Sequence, residues 1–301
     1  MKLFSSGSAS GGANERNIGI ITMFLAGALW GTSGTISRFL PAGATPLTTA
    51  WTRSAISGLL LCLIVLRHGR FATVMRSRYA LLTGLCVSVN QLGFFLSLDR
   101  LGVALSTMLV IASSLIMEGL LDCFFGQRPS KLWWCAAAIG VVGTALIATG
   151  GPGASFNLMG LVFGLTGGFG YSLVGIGLKR LRLQGFDGLE CNAAAMLYAA
   201  AAMFPFAASK LAWLATPEAI IPALALGAVS MAIPYCLFTV ALIRISVSQA
   251  YAIGLMEPLT AGVLGLCLLE ERISVPAAFG MGALAICMAM SAVDAMLTES
   301  H

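Results

Sequence analysis

Ten strongly apolar segments, separated by charged, Pro or Gly breaks, take up nearly every position from Ile18 to Leu297. Each is long enough to cross the ~30 Å hydrocarbon core of a bilayer as a helix of roughly 20 residues. They fall at 18–40, 46–66, 79–98, 102–125, 131–149, 157–178, 189–209, 219–242, 246–269 and 274–297. The runs are apolar on all sides, without the alternation of a strand that faces lipid on one side and a lumen on the other, so helices are expected and a barrel is not. A chain that is 58% hydrophobic and 10% charged has too little polar surface to cover a water-soluble fold of this size. The expected fold class is an all-α integral membrane protein with ten transmembrane helices.

Residues 1–17 are rich in Ser, Gly and Ala, which bury too little apolar area to offset the entropy of ordering, and are expected to form a flexible tail. No apolar core with a small-residue cleavage site precedes the first span, so no removable leader is expected. Twelve Lys and Arg residues fall on one side of the expected membrane, among them Arg67, Arg70, Arg76, Arg78, Lys179, Arg180 and Arg182. Only Arg38, Arg100, Lys210 and Arg272 fall on the other. Short positive loops resist translocation, which puts both termini in the cytoplasm and the chain in the cell (inner) membrane. The net charge of +5 then reflects topology and contact with anionic lipid, and calls for no nucleic-acid partner. Of the eight cysteines, all but Cys191 lie inside spans, no C-x-x-C pair occurs, and the two histidines, His68 and His301, lie outside spans. No metal and no cofactor are expected.

Sliding the second half against the first by 144 residues places Arg100 on Arg244, Val103 on Val247, Leu115 on Leu259, Cys123 on Cys267, Arg128 on Arg272 and Ser130 on Ser274. Apolar segments and breaks match in the same register, which indicates a duplication of five spans, residues 18–150 and 157–297. Five is odd, so the copies must enter the membrane with opposite orientation. The charges agree: Arg128 sits beside Lys131 in a basic loop, whereas Arg272 follows Glu270 and Glu271. Inverted repeats of this kind suit two halves rocking about one central site. Gly160, Gly164 and Gly168 form a small-residue face in the sixth span, and Gly27 and Gly31 a shorter one in the first, where helices can approach closely.

Three stretches, Leu29-Trp30-Gly31-Thr32, Glu257-Pro258 and Leu268-Leu269-Glu270-Glu271-Arg272-Ile273, resemble those of a ten-helix member of the drug/metabolite transporter superfamily, the EamA type. The likeness covers the chain beyond its tail. The first copy departs from the pattern, with Ser114 in place of a proline and Gly126-Gln127-Arg128 in place of the acidic closing motif. A Gly-Gln-basic closing also occurs in amino-acid exporters of that family. The resemblance implies a proton- or exchange-driven exporter of small metabolites, commonly amino acids or amines, with cargo identity left open.

A charge near the bilayer centre costs several kcal/mol and must face a cavity or a partner. Glu257 stands mid-span directly before Pro258, whose missing amide frees a carbonyl one turn earlier, so an acid is expected at a helix break. It is a candidate for both substrate binding and proton coupling. In the fourth span Thr107, Ser114, Glu118 and Asp122 share one helix face, which makes Ser114 a binding candidate and Glu118 and Asp122 proton-path candidates, with a hydrated vestibule as the alternative. Asn90 and Gln91 can orient a ligand or cross-link helices, beside the apolar Phe94 and Phe95. Trp30, Tyr171 and Tyr235 are the aromatic candidates for stacking or cation-π contact. Arg53, in the second span, either snorkels to the headgroups or captures a substrate carboxylate.

These residues point first to a secondary transporter of a small metabolite working by alternating access, with a proton or an exchanged metabolite as the coupled species. A broad organic-cation or drug exporter is the alternative within transport. A membrane enzyme acting on lipid lacks its chemistry, because Asp99, Asp122, Asp187 and Asp294 form no close pair and no G-x-S-x-G elbow occurs. A channel fits duplicated halves around one acidic midpoint less well. The absence of a G-x-x-x-x-G-K-[ST] loop disfavours ATP as the driving force. Small-molecule substrate and membrane lipids are the expected partners, and the sequence leaves oligomeric state undecided.

Overall fold

The computed structural model describes residues 9–66, 70–124, 130–148, 157–245, 253–254, 256–271 and 273–299, and every regular element among them is helical. The first half comprises α1 (Ala9–Gly31), α2 (Ser33–Ser37), α3 (Pro46–Val65), α4 (Phe71–Met75), α5 (Arg78–Leu101), α6 (Val103–Phe124) and α7 (Lys131–Ala148). The second comprises α8 (Leu158–Leu183), α9 (Gly188–Ala207), α10 (Pro217–Gly227), α11 (Ile233–Leu242), α12 (Met256–Cys267) and α13 (Val275–Glu299). A π-helical turn, Ala228–Ala232, joins α10 to α11.

Six helical stretches among the described residues are long and apolar enough to cross a membrane: Asn14–Ser37, Pro46–Val65, Arg78–Leu101, Leu158–Leu183, Gly188–Lys210 and Pro217–Leu242. Shorter apolar stretches lie at Val103–Ser114, Lys131–Gly143 and Ala278–Met290. Large apolar side chains point outward along them, including Leu63, Phe206, Ile221 and Phe279, each at least 65% exposed. Surface of that kind is stable against lipid and costly against water.

The flexible tail expected over residues 1–17 is corrected at its end, because α1 already includes Ala9–Asn17. Extending an existing helix adds a hydrogen bond for each residue fixed, so the nucleus supplied by the apolar span carries the Ala, Glu and Arg that precede it. An ion pair between Glu15 and Arg244 at 2.8 Å ties this extension to the end of α11. At its other end the first span is interrupted at Thr32, where the Thr32 and Ser33 hydroxyls donate to the Leu29 and Trp30 carbonyls at 2.7 and 2.5 Å.

Helix starts follow local chemistry. Thr45 and Thr48 form a reciprocal capping box ahead of α3, with Pro46 at a first-turn position where its missing amide costs nothing. Asp187 and Glu190 do the same for α9. The α6 N-terminus is capped from the other half: the Glu271 carboxylate accepts from the Val103 and Ala104 amides at 2.6 and 3.1 Å. Gly102, at φ +85°, turns the chain beneath that carboxylate in a left-handed conformation that favours glycine.

The principal packing pairs are α1 with α11 and α5 with α8, α1 with α12 and α6 with α8, α3 with α10 and α5 with α9. Exchanging each helix of one half for the helix at the same place in the other converts the first member of each couple into the second. The pairs α3 with α9, α6 with α12 and α7 with α13 map onto themselves. Glycines permit the closest crossings. A Cβ on Gly93 would stand 2.5 Å from the Gly167 amide, and one on Gly31 would stand 2.5 Å from the Glu257 carbonyl oxygen. Both small-residue faces, Gly27/Gly31 and Gly160/Gly164/Gly168, therefore lie at helix crossings.

Candidate functional site

A cavity of about 50 Å³ lies where the two halves meet, with walls from α1, α2, α3, α5, α6, α8, the turn before α11, α11 itself and α12. Its lining includes Trp30, Arg53, Asn90, Gln91, Tyr171, Tyr235 and Glu257, together with Ser33, Phe94, Val110, Ile111 and Met231.

Arg53 does not reach a headgroup layer; it is 7% exposed and points into the protein. Its Nη1 donates to Gln91 Oε1 at 3.0 Å, its Nη2 to the Ser230 carbonyl at 2.9 Å and its Nε to Ser230 Oγ at 3.3 Å. All three partners are neutral. Glu257 lines the same cavity and is half-buried, and the ion pairs among the described residues are Arg182 with Asp187 and Arg244 with Glu15. The carboxyl group and the guanidinium therefore share one cavity without closing on each other. A group that carries both charges finds a partner for each end.

Aromatic rings form part of the same lining. Trp30 meets Tyr235 edge to face with centroids 5.4 Å apart, and Phe238 at 5.6 Å. Contacts of this geometry are worth about 0.5–1.5 kcal/mol beyond the area they bury. Trp30 and Tyr235 are buried, whereas Tyr171 is 38% exposed at the edge of the wall. Close packing of α1 on α12 brings Trp30 and Glu257 together, since Gly27 and Gly31 flank Trp30 on α1 and face the Glu257 backbone.

Asn90 serves packing as well as the cavity: its amide donates to the Gly167 carbonyl at 3.0 Å across the α5–α8 crossing. Gln91 is oriented from both ends, by Arg53 at its oxygen and by Met231 Sδ, 3.7 Å from its nitrogen. Ser114 is not part of the wall. The α6 helix reaches the cavity through Val110 and Ile111, and Ser114 turns its hydroxyl to the Ile111 carbonyl at 2.7 Å. Thr107, on the same face, likewise bonds its own helix at Val103. The side chains of Glu118, Asp122 and Pro258 lie outside the described residues, as does Tyr251. Among the described residues no cluster of three His, Cys, Asp or Glu side chains offers a metal site.

Sequence reasoning missed Ser33, Ser230 and Met231. A serine in an apolar run usually bonds its own helix, and Ser230 does so, donating to the Leu226 carbonyl at 2.6 Å. The available signal was Pro234, four residues on, which has no amide to give to the Ser230 carbonyl.

Comparison with known proteins agrees with this architecture. The chain is 27% identical over 265 residues to the uncharacterized transporter YwfM of Bacillus subtilis (strain 168), covering 86% of this chain and 88% of that protein. A solved crystal structure at 18% identity superposes with a TM-score of 0.63 over 91% of this chain and 96% of the other, which is a likeness of fold. The sequence model of the EamA-like transporter family matches twice, over residues 17–149 and 158–293. With both matches together spanning most of its length, this multi-pass membrane protein belongs to the EamA-like transporter family.

Proposed function

We propose that the chain is a secondary active transporter of ten spans, arranged as two inverted five-helix repeats with both termini in the cytoplasm. It exports a small metabolite, an amino acid or an amine, across the cell membrane by alternating access. The observation that carries this reading is the placement of Glu257, from the second half, and Arg53, from the first, on one cavity at the junction of the halves. An ammonium pairs with the acid, a carboxylate with the guanidinium, and apolar substituents lie against Trp30 and Tyr235. Pairwise exchange of helix contacts between the halves supports a rocking motion about this point.

Arg53 also weighs against the rival reading of a broad organic-cation exporter, since it places on the cavity a buried partner for a carboxylate, which such cargo does not carry. Glu257 is the proposed coupling group, taking a proton when the substrate ammonium leaves. Glu118 and Asp122 are proposed to extend a proton path towards the cytoplasmic end, with exchange against a second metabolite as the alternative driving force.

Counterflow in proteoliposomes across a panel of radiolabelled amino acids and amines tests the reading. Uptake that saturates, survives Glu257→Asp and is lost or uncoupled from the pH gradient in Glu257→Gln supports it. Wild-type uptake and pH dependence retained in Glu257→Gln remove the coupling role, and single-channel currents overturn alternating access.

A further inference from the structure

The arginine of the cavity is held by a defect in the opposite half. Ser230 receives two of its three hydrogen bonds, one at Oγ and one at the backbone carbonyl. In a regular helix that carbonyl is consumed by the amide four residues on. Here the residue four on is Pro234, which has none, and the helix ahead of it is widened into the turn Ala228–Ala232, where the Ile233 amide reaches back five residues to Ala228. Wide turns of this type recur at functional sites because they expose backbone groups a helix normally hides. The Ser230 hydroxyl gives its proton to the Leu226 carbonyl at 2.6 Å, which leaves its lone pairs for Arg53 Nε. On the far side Gln91 Oε1 takes Nη1 at 3.0 Å.

Three of the five N–H donors of a guanidinium are thus fixed by neutral acceptors, and the remaining two are left on a group that lines the cavity. No carboxylate among the described residues lies within ion-pair distance of it. A permanent tether between helices would be cheaper with an apolar or neutral polar residue, because burying an unpaired charge is costly and replacing it is often neutral or stabilising.

We propose that the wide turn Ala228–Ala232 with Pro234 is the positioning element for Arg53, and that Ser230 is the positioning residue that aims its fork at a substrate carboxylate. Ser230 therefore sets the preference for carboxylate-bearing cargo over the corresponding amine lacking the carboxylate. This rests on the reading of the cavity as the transport site and assigns it a selectivity determinant. Ser230→Ala removes the acceptor at Nε, and Pro234→Ala restores an amide that competes for the Ser230 carbonyl. Neither removes the charge.

The probes are radiolabelled alanine, threonine and leucine, set against ethylamine, 1-amino-2-propanol and isoamylamine, which lack the carboxylate. Binding and counterflow are measured with the full chain in proteoliposomes. The expected result is a KM for the amino acids raised about tenfold in Ser230→Ala and Pro234→Ala, with maximal rate and amine uptake unchanged, and rescue in Ser230→Thr. Thermal unfolding of each variant separates loss of fold from loss of selectivity. If Arg53→Gln abolishes amino-acid preference while Ser230→Ala and Pro234→Ala retain it, the positioning role is overturned and the transport reading stands. If Arg53→Gln also leaves the preference unchanged, the carboxylate role of the cavity falls with it. If wild type neither binds nor moves any of the six probes, both are overturned for this cargo class.

Discussion

Arg53 and Glu257, contributed by opposite halves of the chain, line one cavity without forming an ion pair. The fold does not depend on their attraction, so Arg53→Gln should leave stability within about 1 kcal/mol, because loss of desolvation cost offsets loss of hydrogen bonds. Carboxylate affinity should fall roughly 10–100-fold, the equivalent of one or two charge-assisted bonds. Thermal unfolding in lipid and KM on the same preparation check the two halves of this prediction.

Trp30 touches both Tyr235 and Phe238. Trp30→Phe should preserve the ring wall and keep transport within a few-fold of wild type, whereas Trp30→Ala should lower stability by about 3–5 kcal/mol and abolish saturable uptake. Retained uptake in Trp30→Ala would show that cargo does not use that wall.

The crossing of α1 on α12 allows no methyl group at Gly31, where a Cβ would come within 2.5 Å of the Glu257 carbonyl oxygen. Gly31→Ala should destabilise by about 1–3 kcal/mol through forced separation of the helices. Gly282, which meets nothing within 4 Å, is the control: Gly282→Ala should be neutral or slightly stabilising. Melting temperatures of the two variants decide the matter.

Glu271 supplies both of its oxygens to the first amides of α6. Glu271→Gln keeps one acceptor and should cost about 1 kcal/mol, and Glu271→Ala about 2 kcal/mol. Hydrogen exchange at Val103 and Ala104 should rise in the order wild type, Gln, Ala.

With both termini proposed to be cytoplasmic, a protease-sensitive tag after His301 should be cleaved in inside-out vesicles and protected in intact cells. Cleavage in intact cells would reverse the proposed orientation.

Much of the fold is written in short-range chemistry. Apolar length marks α3, α5, α8 and α9, and their starts coincide with cap residues such as Thr45 and Asp187, because helix ends are governed by neighbours a few positions away. Mid-span polarity singles out Arg53, Gln91 and Glu257 on the same local grounds. Contacts across long separations are not legible in that way. Glu271 reads as a surface charge balancing Arg272, yet its carboxylate caps a helix 168 positions earlier. Ser230 reads as one more small residue in an apolar run, and only Pro234 hints at the wide turn that gives it to Arg53. Ser114 reads as lining from its helix face, but a hydroxyl inside lipid-embedded helix finds its nearest acceptor one turn back.

The carboxylate at Glu271 has a consequence for how such a protein can move. Pulling the α12–α13 connection off α6 would strand two backbone donors at a cost of about 1–3 kcal/mol each. That rim is therefore joined across the boundary between the halves, and under the proposed alternating access the flexing is expected in elements that are not stitched together there.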